Sequence, residues 1–225
     1  MSMQAVIDAA RADLGYTESP ANSNMTKYGE WYGMNGQPWC VMALAFWFDH
    51  AGERMAFFGG GKTASCSILL RWYKEQGLTV PVEDVQVGDI VILNFSGTKD
   101  TQHCGLVTDV WEALDGFGRV ASVFTIEGNT TNGGGRSEDN GGCVAEKERF
   151  PSQIVAVCRP QYSPEPEITD DITGHWAEES IRWCVEHGLL QGYPDGSFQP
   201  DKAVTRAEMC VMLERVCQMM KEGMI

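Results

Sequence analysis

The stretch Pro38-Trp39-Cys40-Val41-Met42-Ala43-Leu44-Ala45-Phe46-Trp47-Phe48-Asp49-His50 decides how the first two-thirds of the chain is read. Val41, Leu44, Ala45 and Phe48 recur at i, i+3, i+4 and i+7, the period of a helix that buries one face. Pro38 suits the first turn of such a helix and Gly52 its end. Cys40 then falls at the helix N-terminus, where partial positive charge and unbonded N–H groups favour thiolate over thiol. That is the setting of a nucleophilic cysteine. A buried cysteine on an amphipathic helix has the same local pattern, so a partner is needed to separate the two.

Upstream, Val6, Ala10 and Leu14, with Met3 and Ile7 beside them, predict a helix over Met3 to Leu14 closed by Gly15. The polar stretch from Thr17 to Gln37 reads as a surface loop, the kind of segment that lines active sites. Downstream, Cys66, Leu69, Leu70 and Tyr73 predict a helix from Ser65 to Gln76 with Gly77 at its end. The period then changes. Asp89–Asn94, Gly105–Trp111, Arg119–Glu127 and Ile154–Cys158 are β-branched and aromatic, separated by Gly, Asp and Asn, as expected of antiparallel strands. Helices first and strands afterwards predict an α+β domain over residues 1–160. Gln161-Tyr162-Ser163-Pro164-Glu165-Pro166-Glu167 has the composition of a linker. Residues 168–225 follow as a small helical module, with helices expected near Trp176–His187 and Ala207–Met219.

The partner Cys40 requires is His103. It stands at the mouth of a predicted strand, and imidazole titrates in the range needed to take a thiol proton and return it to a leaving amine. The next strand ends in Ile126-Glu127-Gly128-Asn129, so Glu127, or alternatively Asn129, is placed to hold the second ring nitrogen.

Bulk properties narrow the function. A net charge of −14 repels nucleic acid and anionic membrane. The N-terminal residues lack a basic region and a sustained apolar core, so no secretory signal is read there, which predicts synthesis in a reducing cytoplasm. The eight cysteines form no C-x-x-C pair, so they are expected as thiols and apolar fillers rather than zinc ligands or disulfides. The loop before Cys40 offers Asn22, Asn24 and Glu30 but no run of aspartates, and neither metal nor cofactor is expected.

In order along the chain, Trp39-Cys40, Phe46-Trp47, Ala51-Gly52, Gly88-Asp89-Ile90-Val91, His103-Cys104-Gly105-Leu106-Val107 and Glu127-Gly128-Asn129 resemble the CHAP family, the cysteine, histidine-dependent amidohydrolases/peptidases. The resemblance runs from about Met3 to Pro160. It implies a papain-like α+β fold and cleavage of peptidoglycan amide bonds, with Gln37 or a backbone N–H near Cys40 as the oxyanion hole. The family often carries glutamine directly before the cysteine, where this chain has Trp39.

The C-terminal segment contains Ile168-Thr169-Asp170-Asp171-Ile172-Thr173-Gly174-His175-Trp176-Ala177, then Gly192-Tyr193-Pro194-Asp195-Gly196-Ser197-Phe198-Gln199-Pro200, then Val204-Thr205-Arg206-Ala207-Glu208. Thr205 and Glu208 form a capping box, and Trp176, Ile181, Cys184 and Val185 are expected to face inward. Together these segments resemble one S-layer homology repeat. The resemblance implies binding of a secondary cell-wall polysaccharide, with Arg206 on the acidic sugar and Trp176 and Asp195 as further candidates. Such repeats usually come in threes, so a single copy implies association of three chains. A wall-cutting domain beside a wall-binding one resembles a bacteriophage endolysin, most simply an N-acetylmuramoyl-L-alanine amidase reaching the wall after release from the cytoplasm. A stem-peptide or crossbridge endopeptidase, a non-catalytic wall-polysaccharide-binding protein and an intracellular papain-like protease are the competing readings.

Overall fold

A computed structural model describes residues 3–97, 100–113, 118–131, 141–163, 170–186, 189–193 and 196–221. The chain divides into two compact units, Met1–Ser163 and Pro164–Ile225.

The first unit is α+β, as its period change predicts. Five helices, α1 (Met3–Arg11), α2 (Lys27–Tyr32), α3 (Cys40–His50), α4 (Arg54–Phe58) and α5 (Cys66–Glu75), precede six strands. These are β1 (Thr79–Val80), β2 (Ile90–Leu93), β3 (His103–Glu112), β4 (Val120–Thr130), β5 (Cys143–Arg149) and β6 (Ile154–Cys158). The strands form one antiparallel sheet in the order β1-β6-β2-β3-β4-β5.

Helix α3 is apolar almost all round, and Cys40 to Ala45, Trp47 and Phe48 are all buried, so it runs through the core rather than along its surface. It packs between α1, α2 and the β3–β4 face of the sheet. Cys104, Leu106 and Ile126 from that face join the helices in one apolar cluster, while Val91, Leu93, Val107 and Val123 form a second. Alternation along each strand produces the two clusters. Asp13, just beyond α1, ties the helices together. It accepts hydrogen bonds from Tyr28 Oη (2.7 Å) and Trp47 Nε1 (2.9 Å) and pairs with Lys27.

Helix α4 and strand β1 were not expected, and further features of the first unit depart from the expectations above. The loop before Cys40 contains α2, capped by Thr26, whose Oγ1 accepts from Gly29 N, and ended by Gly33 in the left-handed region. Helix α1 stops at Arg11, short of Leu14. Strand β5 had no counterpart in the sequence reading. Tyr162 and Ser163, read as linker, belong to the first unit: Tyr162 stacks on Phe48 and donates to Gly88 O, and Ser163 N donates to Glu53 Oε2 at 3.0 Å.

In the second unit, α6 (Glu178–Glu186) and α7 (Arg206–Lys221) flank a turn region. Among the described residues, Ile172, Ile181 and Leu189 are its buried apolar ones. Trp176 was expected to face inward and instead is 91% exposed. It lies in the turn ahead of α6, outside the helical period that directs Ile181 to the interior.

Candidate functional site

Cys40 is the first residue of α3, and no side chain caps the helix there. The N–H groups of its first turn therefore have no intrahelical partner and point at the sulfur's surroundings. Trp39, stacked on Tyr28 with ring centroids 5.1 Å apart, anchors the chain just before the cysteine. Cys40 is buried, keeping 7% of its surface. An open cavity of about 440 Å³ has Tyr32, Met34, Lys62, Ser65 and Ile68 among its walls; Cys40 and His103 do not line it.

The sheet brings His103 to that sulfur. His103 begins β3, and its imidazole lies near enough to Cys40 for each to shift the other's ionisation. On the other side its Nε2 meets Glu127 Oε2 at 2.9 Å, which leaves Nδ1 for the sulfur. Glu127 is fully buried on β4 and is itself held: Arg149 Nε donates to Oε1 at 2.7 Å, Arg149 Nη2 to Oε2 at 2.5 Å, and Thr125 Oγ1 to Oε1 at 2.7 Å. Arg149 lies over the Phe95 ring, 4.7 Å from its centroid. Cys40, His103, Glu127 and Arg149 thus form a buried file of alternating charge with no net charge.

Protonation follows from those neighbours. Burial opposes charge on Glu127, but the Arg149 hydrogen bonds and the His103 charge outweigh it and hold the carboxyl down at about 2. Burial also disfavours imidazolium, yet the Glu127 charge and the contact with Cys40 lift His103 to about 10. Hydrogen bonds from Cys104 and Cys66, together with His103, hold the Cys40 thiol well below its ordinary value against the opposing effect of burial. Both directions favour a thiolate–imidazolium pair at rest.

Glycines make room for this arrangement. A Cβ on Gly105 would come within 2.8 Å of Glu127 Cγ and 3.0 Å of Thr125 Cβ. A Cβ on Gly128 would meet Ala43 Cβ at 2.6 Å and Trp39 at 2.9 Å.

Of the residues singled out in the sequence, the fold joins Cys40, His103 and Glu127. Asn129 is buried at a positive φ of 58°, and its Oδ1 has no hydrogen-bond partner among the described residues; Glu127 is the residue that holds the imidazole. Gln37 is exposed in the turn ahead of α3. Three contributors were not foreseen: Arg149, Cys66 and Cys104.

In the second unit the Thr205–Glu208 capping box forms, with Glu208 N donating to Thr205 Oγ1 at 3.2 Å and Thr205 N to Glu208 Oε2 at 2.7 Å. Arg206 is the first residue of α7 and its side chain is exposed. Asp171 accepts from Phe198 N and Gln199 N, fixing the turn region against the segment before α6. Asp195 lies outside the described residues.

Residues 169–210 match the S-layer homology domain. The chain is 38% identical over 58 residues to the outer membrane protein SlpA of Deinococcus radiodurans, covering 26% of this chain and 5% of that protein. It is 50% identical over 38 residues to a cellulosome-anchoring protein of Acetivibrio thermocellus (17% of this chain, 8% of that protein). It is also 29% identical over 65 residues to the S-layer protein EA1 of Bacillus anthracis (29% of this chain, 8% of that protein). The chain spans only these small fractions of its relatives' lengths. No solved structure matches it. The SLH segment thus accounts for the C-terminal unit and leaves the Cys40–His103–Glu127 site without a curated counterpart among these relatives.

Proposed function

We propose that the first unit is a cysteine hydrolase of the CHAP type, with a papain-like arrangement of nucleophile helix and base-bearing sheet, and that it cuts an amide bond of peptidoglycan. The observation that carries this reading is the 2.9 Å bond that holds His103 Nε2 on the buried Glu127, in the electrostatic neighbourhood of Cys40 at an uncapped helix N-terminus.

In this mechanism the Cys40 thiolate attacks the amide carbonyl carbon, forming a C–S bond while the carbonyl oxygen takes the negative charge. The free N–H groups at the start of α3 receive that oxyanion. His103 Nδ1 gives its proton to the amide nitrogen, the C–N bond breaks, and the amine leaves. Neutral His103 then takes a proton from water, whose oxygen attacks the thioacyl carbon. The C–S bond breaks, the acid departs, and the thiolate–imidazolium pair returns. Glu127 keeps the ring in one orientation and balances its charge, and Arg149 keeps Glu127 ionised.

The SLH segment supports a role at the cell surface, and the names of the relatives, S-layer and cellulosome-anchoring proteins, point the same way. In the proposed protein this unit binds a secondary wall polysaccharide through the exposed Arg206 at the α7 N-terminus, where helix donors favour an anionic group. The combination fits an endolysin. Muramoyl–L-alanine amidase activity is the first choice of bond, and stem-peptide or crossbridge cleavage is the alternative within the same chemistry. A second reading is a wall-polysaccharide-binding protein without catalysis, which the comparisons favour because they reach only the SLH segment.

Clearing of purified walls from SLH-ligand-bearing bacteria separates the two. The intact chain is expected to clear them and C40A to bind without clearing, and mass spectrometry of the fragments identifies the bond. Binding without clearing by the unaltered, reduced protein would establish the second reading instead.

A further inference from the structure

Three of the chain's eight cysteines converge on one point from three different elements: Cys40 at the start of α3, Cys66 at the start of α5 and Cys104 near the start of β3. Their Sγ atoms all lie within 4.8 Å of one another, and Cys40 and Cys66 are 3.9 Å apart. Cys66 and Cys104 form and break no bond in the hydrolytic cycle above. We propose that Cys40, Cys66 and Cys104 form a trithiolate site that captures a soft divalent metal ion of the zinc class.

The spacing fits that chemistry. A tetrahedral ion with Zn–S bonds of about 2.3 Å holds its sulfurs about 3.8 Å apart. The Cys40–Cys66 separation already equals that edge to within a tenth of an ångström or so, and Cys104 needs to close by at most about 1 Å. Thiolate is the ligand type that selects such ions over the hard cations calcium and magnesium. Cys40 and Cys66 open helices α3 and α5, so two of the three donors are fixed by rigid elements. Cys40 and Cys66 retain 7% and 8% of their surface, while Cys104 is fully buried beneath them. On coordination Cys66 and Cys104 lose their protons to solvent, and Cys40 binds as the thiolate it already is.

The sequence reading expected no metal here, because the three cysteines are 26 and 38 residues apart and lack paired spacing. Only the packing of α3, α5 and β3 unites them. The consequence, which rests on the proposed hydrolase reading, is a reversible off-state: the ion occupies the sulfur that must attack the substrate, and a chelator releases it.

The test is titration of the reduced, metal-free full chain with Cd²⁺, followed by the ultraviolet thiolate-to-metal charge-transfer band. The expected result is a band that saturates at one ion per chain and an affinity that falls by about tenfold or more in C66A and in C104S, a loss that changes even to outer-shell partners can reach. C66S, which keeps the side-chain volume, guards against a folding defect in C66A. Wall clearing is read in parallel. Chelator-reversible inhibition by the ion is expected in the unaltered chain, and C66S is expected to keep whatever rate it has when the ion is added. No band, or a band that these substitutions leave unchanged, overturns the site. A band in a protein that never clears walls leaves the metal site standing and removes the hydrolase reading.

Discussion

Replacing Arg149 by Met would keep an apolar stem over Phe95 and remove the fork that holds Glu127. Glu127 is fully buried, and Arg149 supplies two of its charge-assisted hydrogen bonds, so the substitution strands a buried carboxylate. Breaking one partner out of a buried pair costs about 3–5 kcal/mol, which for a unit of this size is a drop of roughly 6–20 °C in melting temperature. The Arg149 hydrogen bonds are the largest influence holding the Glu127 carboxyl down, so without them it rises toward protonation. His103 then loses the charge that lifts it, and the resting thiolate–imidazolium pair weakens. The assay is urea denaturation at pH 7 of the unaltered chain, R149M, E127Q and the double variant, with wall clearing on each. The double variant is expected to be spared about 2 kcal/mol relative to the sum of the singles, because the neutral amide introduced by E127Q no longer needs a cation. If R149M falls within about 1 kcal/mol of the unaltered protein, or the singles add without coupling, the idea that Arg149 sustains the Glu127 charge is wrong.

Further outcomes follow from the same geometry. G105A should destabilise the first unit by about 1–3 kcal/mol and lower clearing, because its Cβ would sit 2.8 Å from Glu127 Cγ; equal melting curves would contradict this. Clearing should need ionised Cys40 and protonated His103, so the rate should hold through neutral pH, fall as pH rises through about 10, and fall on the acid side at a pH well under the ordinary thiol range. For stability the sign is opposite at the carboxylate. Glu127, depressed from 4.5 to about 2, contributes stability that is present above pH 4.5 and is lost as pH falls toward 2, which a denaturation series from neutral pH down through that window would reveal. Met209, Leu213 and Met220 lie on one side of α7 and are all exposed, as are Trp176 and Trp183, which favours association of several chains through the SLH unit. Light scattering is expected to give a trimer mass at micromolar concentration, and a monomer mass would refute it.

The proposed nucleophile and base were legible because each stands next to a local signal. Cys40 precedes an unbroken apolar helix, and His103 opens a strand rich in β-branched residues. Glu127 was legible as a strand-end acid, though its rank over Asn129 needed the register that sets β4 against β3. Arg149 was not. Strand β5 carries Glu146, Lys147, Glu148 and Arg149 in succession, a charge run that reads as a solvated segment, and its strand character arises from pairing with β4 at the sheet edge. Cys66 and Cys104 were assigned to core packing, which is right for each alone; their convergence is a long-range contact that no local period encodes. Helix α2 is different, since Thr26 and Gly33 flank it as cap and stop, and the signal was present in a segment too short for periodicity to register. In the second unit the capping box at Thr205 and Glu208 was readable because it is complete within four residues.

Gly128 has a further consequence. Strand β4 rests directly on Ala43 and Trp39, with no side chain between backbone and helix. The distance from sulfur to imidazole is therefore fixed by hard contact between strand and helix, not by the reach of adjustable groups. Such a spacing tolerates no gradual tuning: a single added carbon pushes the nucleophile's helix off the strand that carries Glu127.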